Sequence, residues 1–131
     1  MYEVTLETHF SAAHRLRGYQ GECEHLHGHN YRVQIVLAGA DLDELGMLVD
    51  FREARHAADE VVERLDHEFL NEIEPFDTIN PTTEQIARHI AGQMASRVPD
   101  GVSVREVTCW ESEKCAARYL PDGSVEADSE S

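Results

Sequence analysis

The chain has 131 residues with 26 acidic and 11 basic side chains, which gives a formal net charge of −15. A domain with this charge repels nucleic acid phosphates, so a nucleic acid partner is not expected. No run of eighteen apolar residues is present, so a membrane-spanning segment is not expected either. Lys114 is the single lysine. An acidic surface with little lysine is typical of halophilic proteins, whose self-repulsion is screened by salt.

Chain length and cysteine content bound the architecture. A chain of this length is expected to form one domain. The three cysteines, Cys23, Cys109 and Cys115, lack the spacing of a disulfide framework, which favours a reducing, cytoplasmic location. Cys109 and Cys115 are expected to be buried, inert thiols. The opening residues, MYEVTLETHF, contain neither the basic nor the apolar region of a signal peptide.

The first part of the chain contains two segments that alternate apolar and polar side chains, as half-buried strands do. These segments are residues 2–10 and 30–38. The glycine-containing stretch RLRGYQGECEHLHGH between them is expected to be a connecting loop. Loops held by a rigid sheet commonly carry functional residues.

Apolar residues at spacings of three and four predict two helices in the middle of the chain. The first follows Asp50, a suitable N-cap, with an apolar stripe that starts at Phe51 and frays near Asp66. The second follows Pro81, with Thr82 as its cap.

Two further strands are predicted at residues 102–110 and 115–120, close enough to form an antiparallel hairpin. The element order is therefore ββααββ, which indicates an α+β domain of residues 1–122 with a four-stranded antiparallel sheet and both helices on one face. The other face is expected to be apolar and to be covered by a homo-oligomer. The acidic residues 123–131 are expected to form a disordered tail.

The segment CEHLHGHNY places one thiol and three imidazoles within seven positions. His27 and His29 are two residues apart, so an extended backbone directs both rings to one face. His14 follows the first strand and could converge on them. Three imidazoles leave one open position around Zn²⁺, as in catalytic zinc sites. On composition alone, a polar loop rich in histidine explains the segment equally well.

The sequence also resembles the family of 6-pyruvoyl-tetrahydropterin synthase and 6-carboxy-tetrahydropterin synthase, in six stretches that follow one another along nearly the whole chain. They are FSAAHRL (10–16), C-x-x-x-HGHNY (23–31), VDF (49–51), LDHEFLN (65–71), NPTTEQIA (80–87) and WES (110–112). The resemblance implies the T-fold, an oligomeric barrel of four or six subunits, and Zn²⁺ bound by His14, His27 and His29.

The spacing of three residues between Cys23 and the HGH motif resembles that of the carboxy branch of this family. This branch serves queuosine and archaeosine base synthesis through preQ0. The implied activity is that of a zinc-dependent carbon–carbon lyase. It converts 7,8-dihydroneopterin triphosphate to 6-carboxy-5,6,7,8-tetrahydropterin and releases acetaldehyde and triphosphate. Three alternatives stay open: a pyruvoyl synthase that eliminates triphosphate without cleaving the side chain, a hydrolase that uses zinc-bound water, and a non-catalytic zinc-binding module.

The resemblance further implies roles for residues around the metal. Cys23 would act as a thiolate general base, and His67, supported by Asp66, would relay protons with it. Glu111 would accept hydrogen bonds from the amino and N–H groups of the pterin.

Other residues are expected to contact the substrate less directly. Thr82 and Thr83 are candidates for further contacts with the pterin, although helix capping also explains a threonine at this point. Arg15 and Arg17, close to His14 in the chain, are candidates for binding the triphosphate.

Overall fold

The structure is a computed structural model that describes residues 1–18 and 27–121, with only the backbone of His27. The strands are β1 (Tyr2–His14), β2 (His27–Gly39), β3 (Glu68–Phe69), β4 (Val102–Trp110) and β5 (Ala116–Tyr119). The helices are α1 (Phe51–Glu63) and α2 (Thr83–Ala95), with a short 3₁₀ helix at Leu70–Glu72. The predicted tail falls within residues 122–131, outside the described residues.

The strands form one sheet in the order β3-β1-β2-β4-β5. The pairs β1–β2, β2–β4 and β4–β5 are antiparallel, whereas β3 runs parallel to β1. The α+β prediction is confirmed, and the described part of the sheet has five strands where four were predicted. The additional strand, β3, was missed because two residues are too short to show alternation.

The core lies between one face of the sheet and the two helices. Strand β2 contributes Tyr31, Val33, Ile35 and Leu37 to this core, and the helices contribute Ala54, Ala58, Val61, Val62, Ile86, Ala87, Ile90, Ala91 and Met94. Phe51 was predicted to belong to this stripe, but 63% of it is exposed. As the first residue of α1, it lies before the buried stripe begins. No helix in the described part of the chain is long and apolar enough to span a membrane.

Both predicted helix caps are confirmed. The carboxylate of Asp50 accepts a hydrogen bond from the backbone N–H of Arg52 at 2.8 Å, and the hydroxyl of Thr82 accepts one from that of Gln85 at 3.1 Å. Each bond satisfies one of the backbone donors that a helix leaves open at its start.

The sheet face without helices carries charged side chains. Glu7 and Arg32 lie 3.6 Å apart on it, and Glu106 and Arg118 lie 3.2 Å apart. The prediction of an apolar uncovered face is therefore wrong, because charged residues alternate here with the buried ones. Formation of a homo-oligomer stays a prediction, and a partner on this face would meet mainly polar groups.

Strands β1 and β2 are longer than predicted, and the difference moves the histidines. β1 continues to His14, and β2 begins at His27, so the HGH motif lies in a strand and not in a loop. The backbone of His14 pairs with that of His27, and Ala12 pairs with His29. The small residues around Ala12 conceal the alternation, which explains the early end of the predicted strand.

Candidate functional site

His14 lies at the end of β1, where the sheet meets the start of α2, and only 1% of it is exposed. Its Nδ1 atom is 2.7 Å from the carbonyl oxygen of Pro81. A carbonyl oxygen can only accept, so Nδ1 donates, and Nε2 of the neutral ring keeps its lone pair. Metal-binding histidines are commonly fixed in this way by a hydrogen bond from the second ring nitrogen.

His29 presents a second imidazole beside the first. The ring centroids of His14 and His29 are 5.1 Å apart, and the planes meet at 88°. The two rings come from neighbouring strands, because the β1–β2 pairing places Ala12 opposite His29. The predicted convergence of these two histidines is therefore present in the fold.

Tyr31 forms a buried wall beside both imidazoles. Its ring centroid is 6.1 Å from that of His14 and 5.6 Å from that of His29, and its hydroxyl is 3.3 Å from Nδ1 of His14. Phe10 stacks on the tyrosine ring at 4.8 Å. Burial, and then the charge of Glu111, raises the pKa of Tyr31 well above its ordinary value, so the hydroxyl stays neutral. The alternation of residues 30–38 predicts Tyr31 only as an apolar strand residue, and its position two residues after His29 was the available signal for a place in the site.

Glu111, directly after β4, brings a carboxylate to the imidazoles. Its Oε1 atom is 3.5 Å from Nε2 of His14 and 3.7 Å from Nε2 of His29. The hydroxyl of Thr83, in the first turn of α2, donates to the same oxygen at 3.1 Å. The Glu111 side chain is 32% exposed, so it lies at the rim of the site.

His14, His29 and Glu111 together form a possible metal-binding group. One donor atom from each lies within 4.8 Å of the other two. Two imidazole nitrogens and a carboxylate oxygen are donors that Zn²⁺ and similar divalent ions accept. The residues present therefore fit a metal ion, and Glu111 joins a group in which the sequence did not place it.

Two predicted members of the site are not described at the level of side chains. The backbone of His27 pairs with His14, but its side chain is outside the description. Cys23 falls within residues 19–26, which lie outside the described residues. The roles of His27 as a ligand and of Cys23 as a base stay predictions.

Asp66 and His67 contact each other although they are adjacent in the chain. Nδ1 of His67 is 3.0 Å from Oδ2 of Asp66. The contact arises because His67 has a φ of 61°, in the left-handed region that few non-glycine residues adopt. The N–H of Ser11 donates to Oδ1 of Asp66 at 2.9 Å. This bond, and then the contact with His67, holds the pKa of Asp66 below its ordinary value.

Two open depressions flank the imidazoles. One, of about 450 Å³, is lined by His29 and His67, and another, of about 450 Å³, is lined by His29 and Glu111. A larger depression, of about 780 Å³, lies at the opposite end of β1, where Tyr2 and Phe51 line it. It contains neither histidine nor cysteine, so the two smaller depressions are the candidate substrate site.

The other predicted substrate contacts have structural partners. Thr82 caps α2, and Thr83 donates to Glu111. The guanidinium of Arg17 donates to the carbonyl of Phe76 at 2.7 Å, which commits it to the chain. The side chain of Arg15 is exposed, so Arg15 stays a predicted phosphate contact.

The two described cysteines differ in environment. Cys109 is fully buried, as predicted, and burial, followed by the charge of Glu111, raises its pKa to about 12. Cys115 is exposed, so the prediction of a buried thiol is wrong for it. It lies in the turn between β4 and β5, where its carbonyl accepts a hydrogen bond from the N–H of Glu111 at 3.1 Å.

Comparison with known proteins covers nearly the whole chain. The family model for 6-pyruvoyl tetrahydropterin synthase matches residues 3–122. A 6-carboxy-5,6,7,8-tetrahydropterin synthase of Synechocystis is 34% identical over 127 residues, which cover 92% of this chain and 94% of that protein. A dihydroneopterin monophosphate aldolase of Pyrococcus furiosus is 35% identical over 102 residues, which cover 78% of this chain and 82% of that protein. The solved structure of Caenorhabditis elegans 6-pyruvoyl tetrahydropterin synthase matches with a TM-score of 0.81 and 28% identity, over 93% of this chain and 98% of that one.

Proposed function

Since the chain belongs to the 6-pyruvoyl tetrahydropterin synthase family, we propose that it is a zinc-dependent 6-carboxy-5,6,7,8-tetrahydropterin synthase of the cytoplasm. It would convert 7,8-dihydroneopterin triphosphate and water to 6-carboxytetrahydropterin, acetaldehyde and triphosphate. The product would serve queuosine or archaeosine base synthesis through preQ0. The observation that carries the proposal is the meeting of His14, His29 and Glu111 at the end of the β1–β2 pair.

His14, His27 and His29 hold the zinc ion in this proposal. Bound zinc supplies a Lewis acid that stabilises negative charge on the side-chain oxygens of the substrate. The chain prepares the site through the carbonyl of Pro81 and the wall of Tyr31, which restrain the rings of His14 and His29. Restrained ligands lose little freedom when the metal binds, which favours tight and specific binding.

Cys23 and His67 move the protons. The thiolate of Cys23 removes a proton from a side-chain carbon of the substrate. His67 accepts protons from the substrate and returns them to it. Asp66 fixes the orientation of the His67 ring through their 3.0 Å contact. Because 82% of the His67 side chain is exposed toward an open depression, a bound substrate can reach it.

Glu111 recognises the pterin ring. A carboxylate suits the flat edge of the ring that carries an amino group and an N–H, because both can donate to it. Because Glu111 lies beside the imidazoles, a pterin bound to it would have its side chain close to the proposed zinc site.

Product analysis tests the proposal. The zinc-loaded protein is incubated with 7,8-dihydroneopterin triphosphate, and acetaldehyde, triphosphate and 6-carboxytetrahydropterin are expected in equal amounts. A pyruvoyl product would identify the pyruvoyl synthase instead, and a zinc-loaded protein without turnover would be a binding module. Cys23→Ala should keep its zinc and lose turnover by about 10²–10⁴-fold. A hydrolase that uses zinc-bound water would keep its turnover in this variant.

A second candidate is an aldolase that acts on dihydroneopterin monophosphate. The relative from P. furiosus, which bears that name, favours it. An aldolase cleaves a carbon–carbon bond and leaves the phosphate ester intact, whereas the synthase must release its phosphates. Separate reactions with the monophosphate and the triphosphate distinguish the two: we expect release of triphosphate from the second and no cleavage of the first.

A further inference from the structure

We propose that Glu111 is an exchangeable ligand of the bound metal ion. It occupies one coordination position while the site contains no substrate, and it leaves this position when a pterin binds. Thr83 is the positioning residue that holds the carboxylate in place. The inference rests on the proposed zinc site, but it assigns Glu111 a second state that recognition of the pterin does not require.

The distances at Oε1 of Glu111 are close to those between neighbouring ligands of one metal ion. Zinc–nitrogen and zinc–oxygen bonds place adjacent donor atoms of a tetrahedral site roughly 3.3–3.6 Å apart. Oε1 lies 3.5 Å from Nε2 of His14, within this range, and 3.7 Å from Nε2 of His29, slightly above it.

The hydrogen bonding of His14 also favours Glu111 as a ligand of the metal ion. Its Nδ1 donates to the carbonyl of Pro81, so Nε2 of the neutral ring directs a lone pair toward the carboxylate of Glu111. Two electron-rich atoms at this distance attract each other only if positive charge lies between them. A metal ion provides that charge, and so would a proton on the imidazole, so the test must separate the two.

Thr83 selects the position of the carboxylate. Its hydroxyl donates to Oε1, the same oxygen that faces both imidazoles. A hydrogen bond to a ligating carboxylate is the usual support for a metal ligand. The neighbouring Thr82 caps α2 through its own hydroxyl, so adjacent threonines have different tasks.

Glu111 can leave the site more easily than the histidine beside it. The side chain of His14 is 1% exposed, whereas that of Glu111 is 32% exposed and lines an open depression. Rotation of Glu111 therefore does not require the core to unpack. A pterin that draws the carboxylate onto its amino edge would free a coordination position for its own side-chain oxygens, which couples recognition to metal activation.

Metal affinity gives the first test. Zinc affinity is measured by competition with a chromophoric chelator for the wild type, Glu111→Gln and Glu113→Gln, where Glu113 lines the same depression. We expect Glu111→Gln to weaken zinc binding at least tenfold and Glu113→Gln to change it by about twofold or less. Thr83→Val should weaken binding in the same direction, and Thr83→Ser should restore it. Equal affinities for the two glutamine variants would overturn the proposal.

The absorption spectrum of the cobalt-loaded protein gives the second test, because it reports the ligands and not turnover. Addition of pterin, which has the amino edge but no side chain, should change the spectrum of the wild type and leave that of Glu111→Gln unchanged. A wild-type spectrum that saturating pterin does not alter would overturn the exchange. If pterin leaves the wild-type spectrum unchanged while synthase activity is intact, only the exchange of Glu111 is refuted. If the wild type binds no zinc, the proposed function is refuted as well.

Discussion

Two histidines of the site owe their orientation to main-chain groups from other segments. The carbonyl of Pro81 fixes the ring of His14, and the N–H of Ser11 fixes Asp66, which contacts His67. Because such main-chain groups occur along the whole chain, no side-chain pattern predicts which of them will bond to a site residue. At the scale of single residues, the sequence therefore indicates which side chains carry the chemistry but not what holds them.

The carboxylate of Asp66 should stabilise the fold in a pH-dependent way. Its pKa is lowered in the folded state, chiefly by the Ser11 N–H. The stabilisation is therefore fully present above the unfolded pKa of about 3.9 and is lost as the pH falls through the folded pKa. We expect Asp66→Asn to lower the free energy of unfolding at pH 7, with a difference that shrinks below about pH 4.

Urea unfolding of the wild type and Asp66→Asn at pH 7 and pH 3 measures this effect. Asp41→Asn removes one exposed carboxylate elsewhere on the surface and serves as the control for the change in net charge. A stability difference for Asp66→Asn that is the same at both pH values would show that the Ser11 bond does not favour the charged form.

Secondary-structure elements that repeat a pattern over many residues were predictable, and short or irregular ones were not. Helices α1 and α2 follow from apolar periodicity and from Asp50 and Thr82 as caps, whose bonds the structure contains. The end of β1 was missed because Ala12 and its small neighbours carry no alternation. The two-residue strand β3 was missed because its pairing with β1 depends on the chain after α1.

The candidate site was predictable where it depends on a local sequence pattern and not where it depends on pairing between distant segments. The H-x-H pair and the resemblance predict His14 and His29 as partners, and the structure brings these two together. The approach of Glu111 depends on the register in which Arg32 pairs with Trp110, far apart in the chain. Such a register follows from the packing of the whole sheet, and local sequence does not specify it.

The cap of α1 provides a test at the scale of one element. Asp50→Ala should lower the free energy of unfolding by about 1 kcal/mol, because the N–H of Arg52 loses its acceptor. Asp50→Asn keeps a good capping side chain and should cost less than about 0.5 kcal/mol. Denaturant unfolding of both variants measures the difference, and equal losses would mean that the charge of Asp50, not the cap, stabilises the helix.

The whole molecule carries far more negative than positive charge, and only part of it is neutralised by ion pairs such as those on the uncovered sheet face. The net charge is −15, and the pairs Glu7–Arg32 and Glu106–Arg118 lie on the face away from the helices. Repulsion among the unpaired carboxylates opposes the compact state, and salt weakens it. The predicted halophilic character therefore has a measurable consequence for the folded chain.

The melting temperature should rise with salt. Between 0.01 M and 1 M sodium chloride the screening length falls from about 30 Å to about 3 Å, which removes most of the repulsion. We expect an increase of roughly 5 °C or more, the shift that about 1 kcal/mol produces in a domain of this size. Calorimetry across the salt series measures it, and a melting temperature independent of salt would contradict the halophilic interpretation.

In the proposed site, imidazoles from two strands bind a zinc ion to which the thiol of Cys23 is not coordinated. X-ray absorption of the zinc-loaded, substrate-free protein identifies the ligand atoms. We expect nitrogen and oxygen ligands alone, at about 2.0–2.2 Å, and no change in these ligands for Cys23→Ala. A sulfur ligand at about 2.3 Å that disappears in Cys23→Ala would contradict it, because the thiol would then be a zinc ligand and not the base.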